Sequence, residues 1–134
     1  MDSKEEIAKS KNTNQNSKRD LKRRAYFFAL EVIKLTDSLP NQRVCWVIAD
    51  QLLRSATSIG ANIIEAQAAS SKKDFVNFLN HALKSANETK FWLCLLRDSG
   101  KADENLTDKL LDEAIEFSNM LAASVLTAKG KRKF

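Results

Sequence analysis

The stretch from Asp50 to Ala69 reads DQLLRSATSIGANIIEAQAA, and it decides the fold. Its large apolar residues Leu52, Ile59 and Ile63 recur at the three- and four-residue spacing of a helix. Polar residues form a second line along one face of the same helix, because they are spaced by four, four and three. The members of this line are Arg54, Ser58, Asn62 and Glu65. The stretch therefore predicts a helix with a polar line in addition to its apolar face.

The composition of the whole chain favours helices and one domain. The chain has 134 residues, which is enough for a single core, and only three glycines and one proline. Its two cysteines, Cys45 and Cys94, lie in apolar contexts and predict reduced core thiols in a cytoplasmic protein. The N-terminal region is polar and no apolar run approaches the roughly 20 residues of a membrane span, so we expect neither a signal peptide nor a membrane segment.

Breakers along the sequence divide it into four helical segments. We predict helices over about 20–38, 41–69, 72–99 and 106–128, separated by Leu39-Pro40, Ser70-Ser71 and Gly100. Residues 1–19 hold too few apolar side chains to offset the entropy of ordering, so we expect a disordered polar tail. Residues 20–128 then form one domain, and residues 129–134 a basic C-terminal tail. Four helices with short links predict an all-α, up-down-up-down antiparallel four-helix bundle.

The net charge of +5 lies at the two ends of the chain. Residues 1–24 contain eight basic and four acidic groups, and residues 129–134 contain four basic groups and no acid. The segment between them is net acidic, so contact with nucleic acid phosphates is expected mainly at the ends. For the lysines of the third helix, an ordinary solvated face is the competing interpretation. The candidate contacts are Lys18, Arg19, Lys22, Arg23, Arg24, Lys72, Lys73, Lys129, Lys131, Arg132 and Lys133.

The apolar residues exceed what the core of one bundle can hold. One explanation is a generous core with scattered surface aromatics, and the other is a second apolar face buried by self-association. Phe117 and Met120 on the fourth helix are the candidates for such an oligomer face. A polar substitution at either residue is expected to favour the monomer if they face a neighbouring subunit.

The turn at Ser70 predicts which residues of the second and third helices lie level with each other. Arg54 is expected level with Ser85 and one turn from Glu88, which predicts a largely buried ion pair between Arg54 and Glu88. Losing one partner of a buried pair costs about 3–5 kcal/mol. Ser58 is expected level with His81, the only histidine.

None of these residues forms a convincing catalytic or metal site. Glu88 lacks a second titratable group with a fitting role, and His81 lacks further ligands at metal-binding spacing. A Ser58–His81 pair would have neither an oxyanion hole nor an orienting acid. The sequence therefore predicts no enzyme activity, no metal, no cofactor and no small-molecule substrate.

Two segments carry a resemblance to a known family. QLLRSATSIGANIIEA, followed by SSKKDFVNFLNHALKSANETKFWLCLL and then DSG, resembles the four-helix-bundle proteins encoded in 23S rRNA intervening sequences. Accessory variability determinant proteins of diversity-generating retroelements are relatives in that family. The resemblance covers about residues 20–126 and departs from the family pattern at Ala66 and Lys84, where glycine is frequent. It implies a cytoplasmic bundle that assembles as a ring, typically a pentamer, with RNA, DNA or a reverse transcriptase as partners of some members.

Two functions compete at this point. One is a non-enzymatic homo-oligomer that binds RNA or DNA weakly and without sequence preference. The other is a protein-only adaptor or structural ring whose acidic body contacts a basic partner. The salt dependence of nucleic-acid binding separates the two, because phosphate contacts release counterions.

Overall fold

The computed structural model describes residues 20–130, and these form four α-helices packed against one another. The helices are α1 (Leu21–Asp37), α2 (Arg43–Gln67), α3 (Lys72–Asp98) and α4 (Glu104–Gly130). No strand occurs among the described residues. The predicted all-α four-helix fold is therefore confirmed, with helix boundaries within about two residues of those expected.

The helices begin and end where local chemistry dictates. Ser71 lies just before α3, and its Oγ accepts a hydrogen bond from the Asp74 amide at 3.1 Å, which is the predicted N-cap. Asp103 accepts from the Leu106 amide at 2.9 Å at the start of α4. Gly100 follows α3 with a φ of 74°, the left-handed conformation expected of the residue that stops a helix.

The core contains Phe117, which corrects its assignment to an oligomer face. Phe117 is fully buried, and its ring packs edge-on against Phe28 of α1 with centroids 5.5 Å apart. The apolar stripe of α4 is wide because it fills the core between α3 and α1, and periodicity alone does not distinguish an inner from an outer stripe. Gly60 of α2 lies against Ala25 of α1, where an added Cβ would come within 3.2 Å of the Ala25 Cβ.

Helices α2 and α3 are shifted by one turn from the predicted register. Ser58 lies level with Ser85, not with His81, since their hydroxyl oxygens are 2.9 Å apart. Side chains on an α-helix lean toward its own N-terminus, so in an antiparallel pair the contacting residues have higher numbers than the turn centre implies. This tilt accounts for about half of the shift, and the four-residue link 68–71 leaves room for the remainder.

The up-down order brings the link 68–71 and the end of α4 to one end of the bundle, where a depression lined by Ser70, Phe75 and Ala128 lies between them. The start of α1 lies further in, because Arg24 contacts Glu113 and Glu116 near the middle of α4. The links 38–42 and 99–103 meet at the opposite end, where Lys101 Nζ donates to Gln42 Oε1 at 2.8 Å. We refer to these as the basic end (residues 68–73 and 127–130) and the acidic end (residues 37–43 and 98–108).

Candidate functional site

A row of hydroxyl groups joins α2 to α3 on the line that the sequence identified. Ser55 Oγ and Thr89 Oγ1 lie 2.9 Å apart and both residues are fully buried. One turn further along, Ser85 Oγ and Asn62 Nδ2 each donate to Ser58 Oγ at 2.9 Å. These residues, with Arg54 and Glu88, make up what we call the polar seam. Short hydroxyl side chains let the two backbones approach while each polar group keeps a partner.

The ion pair between Arg54 and Glu88 is present, but it is not buried. Arg54 Nη2 contacts Glu88 Oε2, and the two side chains are 56% and 36% exposed. The pair sits at the outer edge of the seam, because Arg54 points away from the core while the buried contact at this level is Ser55–Thr89. The expected burial was therefore wrong.

The carboxylate of Glu88 is held by more than its cationic partner. The indole N–H of Trp92 donates to Glu88 Oε2 at 3.0 Å. This bond, opposed by desolvation and assisted by Arg54, lowers the pKa of Glu88 below its ordinary value. Arg54 in turn donates to Gln51 Oε1 at 2.9 Å. The four side chains fix the outer edge of the seam in one geometry.

Three of the predicted phosphate contacts lie at the basic end. Lys72, Lys73 and Lys129 are all exposed there, although they come from two different helices. Lys22 is also exposed, but it lies on the first turn of α1. Arg23, on the first turn of α1, is half-buried. The predicted contacts Lys18, Arg19, Lys131, Arg132 and Lys133, together with the rest of both predicted tails, lie outside the described residues.

Arg24 is a correction to the predicted set, since it is engaged within the bundle. Its Nη2 lies 3.0 Å from Glu113 Oε1 and 2.9 Å from Glu116 Oε1, both on α4. Its guanidinium stands 5.6 Å from the centre of the Phe117 ring. Burial disfavours the guanidinium charge, but the hydrogen bonds and charges of the two carboxylates outweigh it and raise the pKa of Arg24. This cation holds α1 against α4, and its charge is already paired with two carboxylates.

Met120 belongs to the same α1–α4 contact. Its sulfur lies 3.6 Å from Arg24 Nη1, and the side chain is half-buried against the core. Met120 therefore contacts Arg24 and the core of its own bundle, and its place on an oligomer face stays a prediction. The exposed large apolar side chains are instead found mainly on α1, α2 and α3, where Trp46 and Phe91 are each 56% exposed. The sequence shows that these residues are aromatic, but it does not show whether their side chains face the core or the solvent.

The remaining candidate groups stay isolated. His81 is exposed and Ser58 bonds Ser85, so the two do not pair. Cys45 is buried, Cys94 is half-buried, and both are free thiols. Within residues 20–130, no group of three or more His, Cys, Asp or Glu side chains is placed to hold a metal ion. No helix in that range is long and apolar enough to cross a membrane.

Comparison with known proteins agrees with this architecture. The family model described as "23S rRNA-intervening sequence protein" matches residues 17–123. The chain belongs to that family. The match includes α1, α2 and α3, the polar seam, and α4 as far as residue 123. A search of curated proteins finds no match to the chain.

A solved relative has the same fold. The crystal structure, at 1.70 Å resolution, of a protein of unknown function from the S23 ribosomal protein family of Bacteroides thetaiotaomicron VPI-5482 matches with a TM-score of 0.73. The two sequences are 38% identical, and the match covers 78% of this chain and 96% of that one. The chain therefore shares its fold with this relative over almost the whole length of the relative.

Proposed function

We propose that this protein is a non-enzymatic, self-associating protein of the cytoplasm that binds RNA or DNA without sequence preference through its basic end. The observation that carries the proposal is the convergence of Lys72, Lys73 and Lys129 at one end of the bundle. The start of α3 and the end of α4 meet there, because the two helices run in opposite directions. Three further basic residues, Lys131, Arg132 and Lys133, follow α4 in the sequence.

The distribution of charge along α4 supports binding of nucleic acid through the basic end. Its first half carries five acidic residues and one lysine, Lys109, whereas the only charged residue of its second half is Lys129. A bundle with opposite charge at its two ends orients in the field of a polyanion, with the basic end toward it. Exposed lysines act as point charges toward phosphate and carry no base readout, so affinity without sequence preference is the expected behaviour. Assembly into a ring, for which the family resemblance implies five subunits, multiplies these contacts by effective concentration.

A salt titration tests the proposal with a matched control. The test variant replaces Lys72, Lys73 and Lys129 with Gln, and the control replaces Lys34, Arg43 and Lys109, three exposed cations away from the basic end, with Gln. Each lost phosphate contact reduces the slope of log affinity against log salt by about 0.9 for duplex and about 0.7 for single strands. For the test variant, we expect this slope to fall by the amount that two to three contacts per subunit contribute. For the control variant, we expect an unchanged slope, with an affinity equal to or weaker than that of the natural protein.

Two outcomes would overturn the proposal. Equal slopes for the two triple variants would show that contact is not made at the basic end. No binding of the natural protein to generic RNA or DNA at about 50 mM salt would favour the protein-only adaptor instead, since non-specific phosphate binding is strong at low salt.

A further inference from the structure

The depression at the basic end is kept open by small side chains. It lies between the end of α2, the link 68–71, the first turn of α3 and the end of α4, and its volume is about 570 Å³. Sites for small molecules in proteins have volumes of about 300–1,000 Å³. Larger side chains would fill this space, but five of the lining residues are alanine or serine, namely Ala66, Ala69, Ser70, Ser71 and Ala128. The depression is therefore large enough for an organic group such as a nucleobase with its sugar.

Phe75 contributes an aromatic surface to this depression. Its side chain is half-buried and packs against the core, so the ring is held in place while part of it lines the depression. In proteins that bind single-stranded nucleic acids, bases stack on aromatic side chains, and every base fits because each has a π-face. An aromatic ring beside open space therefore favours a flat aromatic ligand at this position.

The charge around the depression suits the phosphates of a polynucleotide. Lys72 lines the depression, Lys73 is the next residue, and Lys129 follows Ala128 of the lining. All three lysines are exposed. Three lysines and one carboxylate, Asp74, give residues 66–75 and 127–130 together a net charge of +2. A ligand that carries both an aromatic ring and phosphates thus meets a partner for each of them here.

Polar groups of the lining can meet the edge of any base. Ser71 Oγ accepts from the Asp74 amide at 3.1 Å, which leaves its own O–H available to donate. The side chains of Ser70 and Gln67 have no hydrogen-bond partner among residues 20–130. Because hydroxyl and amide groups both donate and accept, they fit the edges of all four bases without selecting one. Such a site agrees with binding that has no sequence preference.

The depression distinguishes unpaired bases from paired ones. The bases of a duplex are stacked inside it, and a base enters a pocket only after it has left the stack, which costs free energy. The bases of a single strand are already unpaired. The ligand that fits the depression is therefore a strand with unpaired bases.

We propose that the depression binds an unpaired base of single-stranded RNA or DNA, with Phe75 against the base and Lys72 and Lys129 against the neighbouring phosphates. This proposal rests on the nucleic-acid binding of the proposed function and adds the form of the ligand. The lysines supply the part of the affinity that salt weakens, because phosphate contacts release counterions. The base supplies a second part that releases no counterions and depends little on salt.

A single strand with and without its bases tests the site in the natural protein. One probe is a DNA strand of about ten nucleotides, and the other is the same strand built from stable abasic units, with the same phosphates. We expect the strand with bases to bind at least about fivefold more tightly, since stacking on one aromatic side chain contributes about 5- to 150-fold in affinity. The ratio of the two affinities should stay constant as salt is raised, because both strands make the same phosphate contacts.

Three variants locate the base contact. Phe75→Leu keeps an apolar side chain but removes the aromatic ring, and Ala128→Leu fills the depression. Ala123→Leu is the matched control, because it adds the same side chain at an exposed position of the same helix. The first two variants should bind the strand with bases about as weakly as the abasic strand, with binding of the abasic strand unchanged. The control should bind both strands like the natural protein.

The outcomes separate this site from the proposed function. Equal affinities of the natural protein for the two strands would overturn the base site and leave phosphate binding at the basic end standing. An unchanged ratio of affinities in Ala128→Leu would overturn it as well, and this variant decides if circular dichroism shows that Phe75→Leu has lost helix content. No binding of either strand at about 50 mM salt would overturn both the site and the proposed function.

Discussion

Two seams of the bundle are held together in different ways. The polar seam between α2 and α3 spreads its polar contacts over several small groups, two of them buried, with the exposed Arg54–Glu88 pair only at its edge. The α1–α4 seam relies on one large cation, Arg24, above one large aromatic ring, Phe117. The exposed Arg54–Glu88 pair resembles ordinary surface ion pairs, which contribute little to stability. Arg24 is half-buried, and it makes the ion pairs that join α1 to α4. Loss of one residue should therefore affect the α1–α4 seam more.

The largest effect is expected for Phe117→Ala. It removes a fully buried ring that contacts Phe28, and such truncations cost about 3–5 kcal/mol through lost burial and a residual cavity. Urea denaturation followed by circular dichroism measures the loss, with Leu126→Ala as a control on the same helix. A loss below about 1 kcal/mol would contradict a core position for Phe117.

Arg24→Ala is expected to cost about 1–3 kcal/mol, less than a fully buried pair because its side chain keeps 26% exposure. The change leaves Glu113 and Glu116 next to each other without a cation and uncovers Phe117. Replacing both glutamates with Gln in the Arg24→Ala background should recover part of the loss, because the like charges are removed. If the loss is the same with and without those glutamates, the carboxylates are not what Arg24 stabilises.

Glu88→Gln is expected to have the smallest effect, below about 1 kcal/mol near neutral pH, because the pair is exposed. The lowered pKa of Glu88 sets the pH dependence. A carboxyl with a lower pKa in the folded state stabilises the fold above its ordinary value of 4.5, and this contribution disappears as the pH falls through the folded-state pKa.

Denaturation of the natural protein and Glu88→Gln at pH 7 and near pH 3 checks the sign. The stability difference between the two should shrink in acid. A difference that grows as the pH falls would mean that the folded protein favours the protonated form of Glu88.

Several features of this protein were determined by the sequence itself. Apolar spacing, Ser71, Pro40 and Gly100 fixed four helices and their ends, because capping and periodicity act over a few residues. The spacing of Arg54, Ser58 and Asn62 also marked the polar seam. The pairing of Arg54 with Glu88 could also be predicted, because a short link forces α2 and α3 to run antiparallel.

Tertiary structure alone decided which side each residue faces. It turned Phe117 into the core, moved the register of α2 against α3 by one turn, and exposed the Arg54–Glu88 pair. It drew Arg24 away from its basic neighbours to the carboxylates of α4, and it brought distant lysines together at one end. These outcomes depend on how helices rotate and slide against each other, and that is set by side-chain volume summed over all four helices rather than by any local pattern.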